Sequence, residues 1–162
     1  MKRTNIFSRL TRLAAVAAIA TFVACGNKLD SYIGSAEELA LQPGTALATA
    51  AAYENFIFRG EALTSEGAEA ALLFHSDGES GYEITLRNGA QDGSIKTGSL
   101  RSVRNLYRSL AQDGEWFDFE LAVRGKNIAV KINGVDVVCY TEPEKPYRIE
   151  AHATKLIGKG KV

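Results

Sequence analysis

The chain has 162 residues, of which 46% are hydrophobic and 23% charged, with 19 Lys+Arg against 19 Asp+Glu and two cysteines. That balance provides no broad basic surface, so composition argues against nucleic acid or an anionic membrane surface as a partner. The length allows one domain once a removable N-terminus is set aside.

Lys2, Arg3, Arg9 and Arg12 form a positive n-region ahead of a twelve-residue apolar run, 13–24, and Cys25 follows directly. Twelve residues fall short of the roughly 20 that a spanning helix needs. The charge and length fit a secretory signal. Phe22-Val23-Ala24-Cys25 resembles the lipobox of bacterial lipoproteins, in which a peptidase cuts before the cysteine and that cysteine carries the lipid. The expected organisation is a lipoprotein-type signal over 1–24, a lipidated Cys25, a tether over 25–36 and a domain over 37–162. Such a protein is exported and lipid-anchored in the bacterial cell envelope, in the periplasm or at the outer membrane, with its lipid as the sole membrane contact. The alternative is an ordinary signal peptide that leaves Cys25 free.

Removing residues 1–24 takes away four basic and no acidic residues, leaving 15 Lys+Arg against 19 Asp+Glu and a formal charge of −4. With Cys25 lipidated, Cys139 has no partner for an intrachain disulfide. Its neighbours Val137, Val138 and Tyr140 suggest a small buried hydrophobe there. The mature chain can bury roughly two-thirds of its unfolded surface, enough for a two-layer core without metal or disulfide staples.

Residues 29–52 are Ala-rich around a Pro43-Gly44 turn, and periodicity does not decide between strand and helical turn for 37–41. From 53 to 63, Phe56 and Phe58 alternate with Ile57, Arg59 and Glu61, which predicts a strand with one charged face. Ala70–Phe74 and Tyr82–Leu86 flank a Ser-Asp-Gly-Glu-Ser-Gly turn, the composition of a strand–turn–strand unit. In the second run Tyr82, Ile84 and Leu86 alternate with Glu83, Thr85 and Arg87, giving a polar face where function is expected. After a Gly-rich loop over 89–98, Val103, Leu106, Tyr107 and Leu110 follow helical spacing, with Arg101, Arg104 and Arg108 on the other side. That stretch predicts either a short surface helix or an irregular loop whose arginines reach a ligand.

Residues 116–140 give the strongest pattern. Phe117, Phe119, Leu121 and Val123 alternate with polar positions, Gly125 turns the chain, and Ile128, Val130 and Ile132 alternate again. Asn133-Gly134 is then the preferred dipeptide of a type I′ hairpin, because both positions tolerate positive φ. A three-stranded antiparallel meander follows, with a further strand expected over 147–152. Short strands separated by regular turn signals indicate an all-β sandwich.

The combination of FIFRGEAL, ALLFHSDG with GYEITLRNG, GEWFDFELAVRGKNIAVKINGVDVV and YTEPEKPYRIE resembles the bacterial 3-keto-disaccharide hydrolase domain family. The resemblance covers residues 39 to the C-terminus and implies a concanavalin A-like jelly-roll sandwich of two antiparallel sheets. Family domains continue past the position of Lys161-Val162 into another strand pair, so the resemblance implies a sandwich without its last strands. It also implies a hydrolase or lyase acting on 3-keto-glycosides, with a carbohydrate as partner. The alternative is a carbohydrate-binding sandwich lipoprotein without turnover.

Carried over by motif, the resemblance implies Glu83 of GYE as the general base or a metal-binding carboxylate, Arg87 as the group that steadies sugar hydroxyls or an enolate, and His75 as the acid candidate. Arg59, Glu61, Trp116 and Arg104 are candidate substrate contacts. Each has a plainer reading: Glu83 and Arg87 as a cross-face ion pair, His75 as a hydrogen-bonded strand end, Trp116 as core, Arg104 as a solvated cation. No metal ligand set is assigned. Asp77 and Glu79 could hold a divalent cation, but an Asp-Gly turn favours Asp for its conformation alone.

Overall fold

The computed structural model describes residues 21–23, 44, 52–76, 81–89 and 92–146. The expected turn residues 77–80, the strand over 147–152, Cys25 and the stretch 37–41 lie outside the described residues. The described residues form an all-β fold with no helix. Seven strands run β1 (Thr21–Val23), β2 (Phe56–Ala62), β3 (Ala70–Phe74), β4 (Tyr82–Leu86), β5 (Phe117–Arg124), β6 (Asn127–Ile132) and β7 (Val135–Thr141). One antiparallel sheet has the order β1-β2-β5-β6-β7, and β3 pairs with β4 in the second.

Period-two alternation explains each pairing. Phe117, Phe119, Leu121 and Val123 turn inward from β5 and meet Ile128, Val130 and Ile132 of β6, with Phe56 and Phe58 of β2 on the other flank. Asn133 and Gly134 adopt φ of 51° and 75°, the positive pair that a type I′ turn requires. The second sheet contributes Phe74, Tyr82, Ile84 and Leu86 to the same core. Phe56 meets Phe74 edge-on with ring centroids 6.2 Å apart, and Phe74 stacks on Tyr82 at 5.5 Å. These rings bind the two layers together.

Residues 97–101 extend the smaller sheet. Thr97 N–H donates to the Arg87 carbonyl, Thr85 N–H to Ser99, Gly98 N–H to Thr85 and Arg101 N–H to Glu83, all at 2.9 to 3.0 Å. The helical spacing over 103–110 therefore does not form a helix. The backbone groups of Val103, Arg104 and Leu106 are spent on Leu100, Lys96 and Ser99 in local turns, and Ser102 sits at φ 62°, outside the helical region. Tyr107 and Leu110 are exposed while Val103 and Leu106 pack partly buried against the core, so the spacing does not mark one continuous buried face. Cys139 is also exposed, contrary to the buried setting its neighbours suggest. Strand parity decides this: Val138 and Tyr140 face the core, and the residue between them must face out.

Candidate functional site

The polar face of β4 forms part of a continuous charge network. In register, Leu73 lies beside Glu83 and Ala71 beside Thr85, and Glu69 continues the line of β3 toward Arg87. Arg101 Nη1 donates to the Glu83 carboxylate at 2.9 Å and to Glu69 at 3.4 Å. Arg87 reaches the other Glu69 oxygen at 3.4 Å and Asp92 at 3.1 Å. Asp92 also accepts from buried Lys96 at 3.0 Å. Hydrogen bonds from the Ser94 hydroxyl and amide, followed by that from Lys96, hold the Asp92 carboxyl well below the usual carboxylate range. The contacts with Glu83, then Glu69, raise the Arg101 pKa further, so it remains a cation. Glu83 and Arg87 thus do not pair with each other; Arg101 and Glu69 stand between them.

Behind this face, Asn88 fixes the end of β4. Its amide donates to Thr64 Oγ1 at 2.8 Å, and its carbonyl accepts from the hydroxyls of Thr97 and Ser109, each at 2.6 Å. Thr64 in turn donates to Asp113 at 2.6 Å. This buried cluster seats the segment that carries Arg101.

With a carboxylate and two guanidiniums on one sheet face, the site can accept a proton and stabilise developing negative charge. The chain matches the family model of the 3-keto-alpha-glucoside-1,2-lyase-like domain over residues 26–160. It belongs to this family. No curated protein and no solved structure matches the chain.

For a member of the lyase-like family, the other sequence candidates fall in separate places. His75 is 1% exposed and lies among the core rings of Phe56 and Phe74, not with Glu83 and Arg87. A φ of 48° turns it inward at the end of β3. Its Nε2–H donates to the Glu54 carbonyl at 2.8 Å, while Nδ1 is buried without a partner. Desolvation lowers its pKa, against smaller opposing effects of Glu54 and Glu142. A neutral, enclosed imidazole cannot deliver a proton to this face, so the pairing of His75 with Glu83 is corrected.

Arg59 and Glu61 belong to the other sheet. Arg59 pairs with Glu120 at 2.6 Å, and both line an open groove of about 390 Å³ with Glu61, Asp118 and Lys131. They do not share the face of Glu83, as the alternation on β2 alone had suggested. Trp116 precedes β5 and is 47% exposed, which removes its reading as core. Arg104 is exposed and stacks over the Tyr140 ring, 5.2 Å from its centroid.

Glu69 and Asp92 were missed as site residues, and Arg101 entered only through the alternative of an irregular loop whose arginines reach a ligand. Glu69 closes a polar turn, Arg101 sits within a misleading helical spacing, and Asp92 lies in a glycine-rich loop. The available signal was the polar side of β4, which requires partners on both neighbouring strands. Among the described residues, no group of three His, Cys, Asp or Glu side chains is arranged to hold a metal ion.

Proposed function

We propose that the chain acts on glycosides whose sugar carries a ketone at C3, eliminating the C1 substituent and then hydrating the product. The observation that carries this reading is the Glu83–Arg101 pair in a member of the lyase-like family. A C3 ketone acidifies the C2 hydrogen, because the electrons left behind delocalise onto the carbonyl oxygen as an enolate. Glu83 takes the proton as general base. Arg101 stabilises the enolate oxygen, and Arg87 steadies sugar hydroxyls. As the enolate collapses, a C1=C2 double bond forms, the C1–O bond breaks, and the leaving oxygen takes a proton from water at the open face. The hydroxide left behind takes the proton from Glu83 and restores the carboxylate, and a water then adds its hydroxyl to C1 and its proton to C2.

The test is incubation of the purified chain with a 3-keto-disaccharide, with and without EDTA, reading the released monosaccharide. Release with saturation kinetics supports the proposal. Saturable binding without release contradicts it and favours the carbohydrate-binding alternative.

We further read residues 1–24 as an export signal and Cys25 as a lipid-bearing residue, so that the protein is anchored in the cell envelope. The basic n-region, the short apolar run and a family match that begins at residue 26 support this. Cleavage before Cys25 removes β1 with the signal and leaves β2 at the sheet edge. Replacing Cys25 by Ser should abolish the lipid mass and move the protein out of the membrane fraction; unchanged fractionation contradicts the anchor.

A further inference from the structure

Thr85 lies between Glu83 and Arg87 on the polar side of β4, where a threonine should meet water. It is instead 1% exposed, and its Oγ1 has no hydrogen-bond partner. The ladder explains the cover. Arg101 flanks Glu83 on one side of the Ala71–Thr85 pair, while Glu69 and Arg87 lie on the other. The contact from Arg101 to Glu69 therefore runs diagonally over Thr85.

We propose that the Thr85 hydroxyl positions the sugar, beneath a strap formed by Arg101 and latched by Glu69, and that the glycoside opens the latch on binding. The proposal rests on the reading of this face as a glycoside site. A valine of the same shape would fill the position without burying an unpaired hydroxyl, so the group has a use only when the cover moves. The latch is the weak end of the strap: Glu69 holds both arginines at 3.4 Å and is half-exposed, whereas Arg101 grips Glu83 at 2.9 Å. Water competes readily for such a long, exposed contact. When Arg101 turns from Glu69 to a ligand oxygen it keeps Glu83, and the uncovered hydroxyl can both donate to and accept from a neutral sugar hydroxyl. Thr85 is thus a positioning group for an uncharged, polyhydroxylated ring.

Two measurements test this. The first needs no glycoside: Thr85→Cys in the full chain with Cys25→Ser and Cys139→Ser, labelled with iodoacetamide. Labelling should be slow with Glu69 present and about ten-fold faster when Glu69→Gln is added, the factor expected for loss of one modest contact. Equal rates, or fast labelling with Glu69 in place, overturn the strap. The second is Thr85→Val, which should raise the urea midpoint yet raise KM for a 3-keto-disaccharide about ten-fold, with kcat within about two-fold. Unchanged KM overturns the positioning role. A wild-type chain that neither binds nor turns over the disaccharide refutes the functional reading and the ligand assigned to Thr85, while the labelling rates still decide the strap.

Discussion

Arg101 is joined to Glu83 twice: its backbone N–H donates to the Glu83 carbonyl at 2.9 Å, and its guanidinium donates to the Glu83 carboxylate at 2.9 Å. The backbone bond sets where the side chain starts, which holds the cation beside the base. Substituting Arg101 by Ala should lower kcat at least about a hundred-fold, as expected for removal of an enolate-stabilising cation. It should cost only about 0–1 kcal/mol of stability, because both partners of the pair are partly exposed. Arg101→Lys keeps the charge and should retain part of kcat. Loss of stability in proportion to activity would contradict the division of roles.

His75 makes stability pH-dependent. Burial lowers its folded pKa from 6.5, so it remains neutral while unfolded chains take up protons below that value. Its contribution is therefore complete above pH 6.5 and is lost as pH falls toward the lowered folded value. The groups facing it are the Glu54 carbonyl and carboxylate and Glu142, which accepts from the Tyr82 hydroxyl. The urea midpoint should fall between about pH 7.5 and about pH 5.5, and more steeply in wild type than in His75→Gln. Equal slopes would contradict this account.

Asn88 is the hub of the buried cluster behind the site. Asn88→Ala should cost about 2–4 kcal/mol, because the hydroxyls of Thr64, Thr97 and Ser109 lose a buried partner together. Urea unfolding checks the loss. A cost below about 1 kcal/mol would mean that the cluster re-pairs without it.

Gly98 links the small sheet to the large one. At φ 89° any Cβ is strained, and here it would also lie 2.8 Å from Val137 Cγ2 and 3.1 Å from Ile132 Cγ1. Gly98→Ala should cost about 2 kcal/mol and loosen the segment carrying Arg101. Thermal unfolding measures the first effect and kcat the second. A fully stable variant would contradict the close approach of the two layers.

The strands were legible because period two is fixed by the pleat. The alternation at Phe117 to Val123, the Asn133-Gly134 turn and the polar side of Tyr82–Leu86 all fold as their spacing indicates. The site was only half legible, since alternation identifies one strand's outward side chains but not what lies across from them. Glu83 and Arg87 emerge from β4 itself, whereas Glu69 continues β3 beyond its first residue and Arg101 ends the 97–101 extension, and no alternation within β4 names either neighbour. His75 escapes alternation because a positive φ redirects a side chain in a single step. Arg59 and Glu61 show the complementary ambiguity: the pattern reveals a charged face but not which sheet bears it.

The most direct test of the central claim is deuterium incorporation at C2 when a 3-keto-disaccharide is cleaved in heavy water, read by NMR against buffer alone. Proton abstraction by Glu83, elimination and hydration require that wild type place deuterium at C2 of the released keto sugar, and that Glu83→Gln lose both cleavage and incorporation above the buffer rate. Cleavage that leaves the C2 hydrogen in place, or full incorporation by Glu83→Gln, would contradict the account.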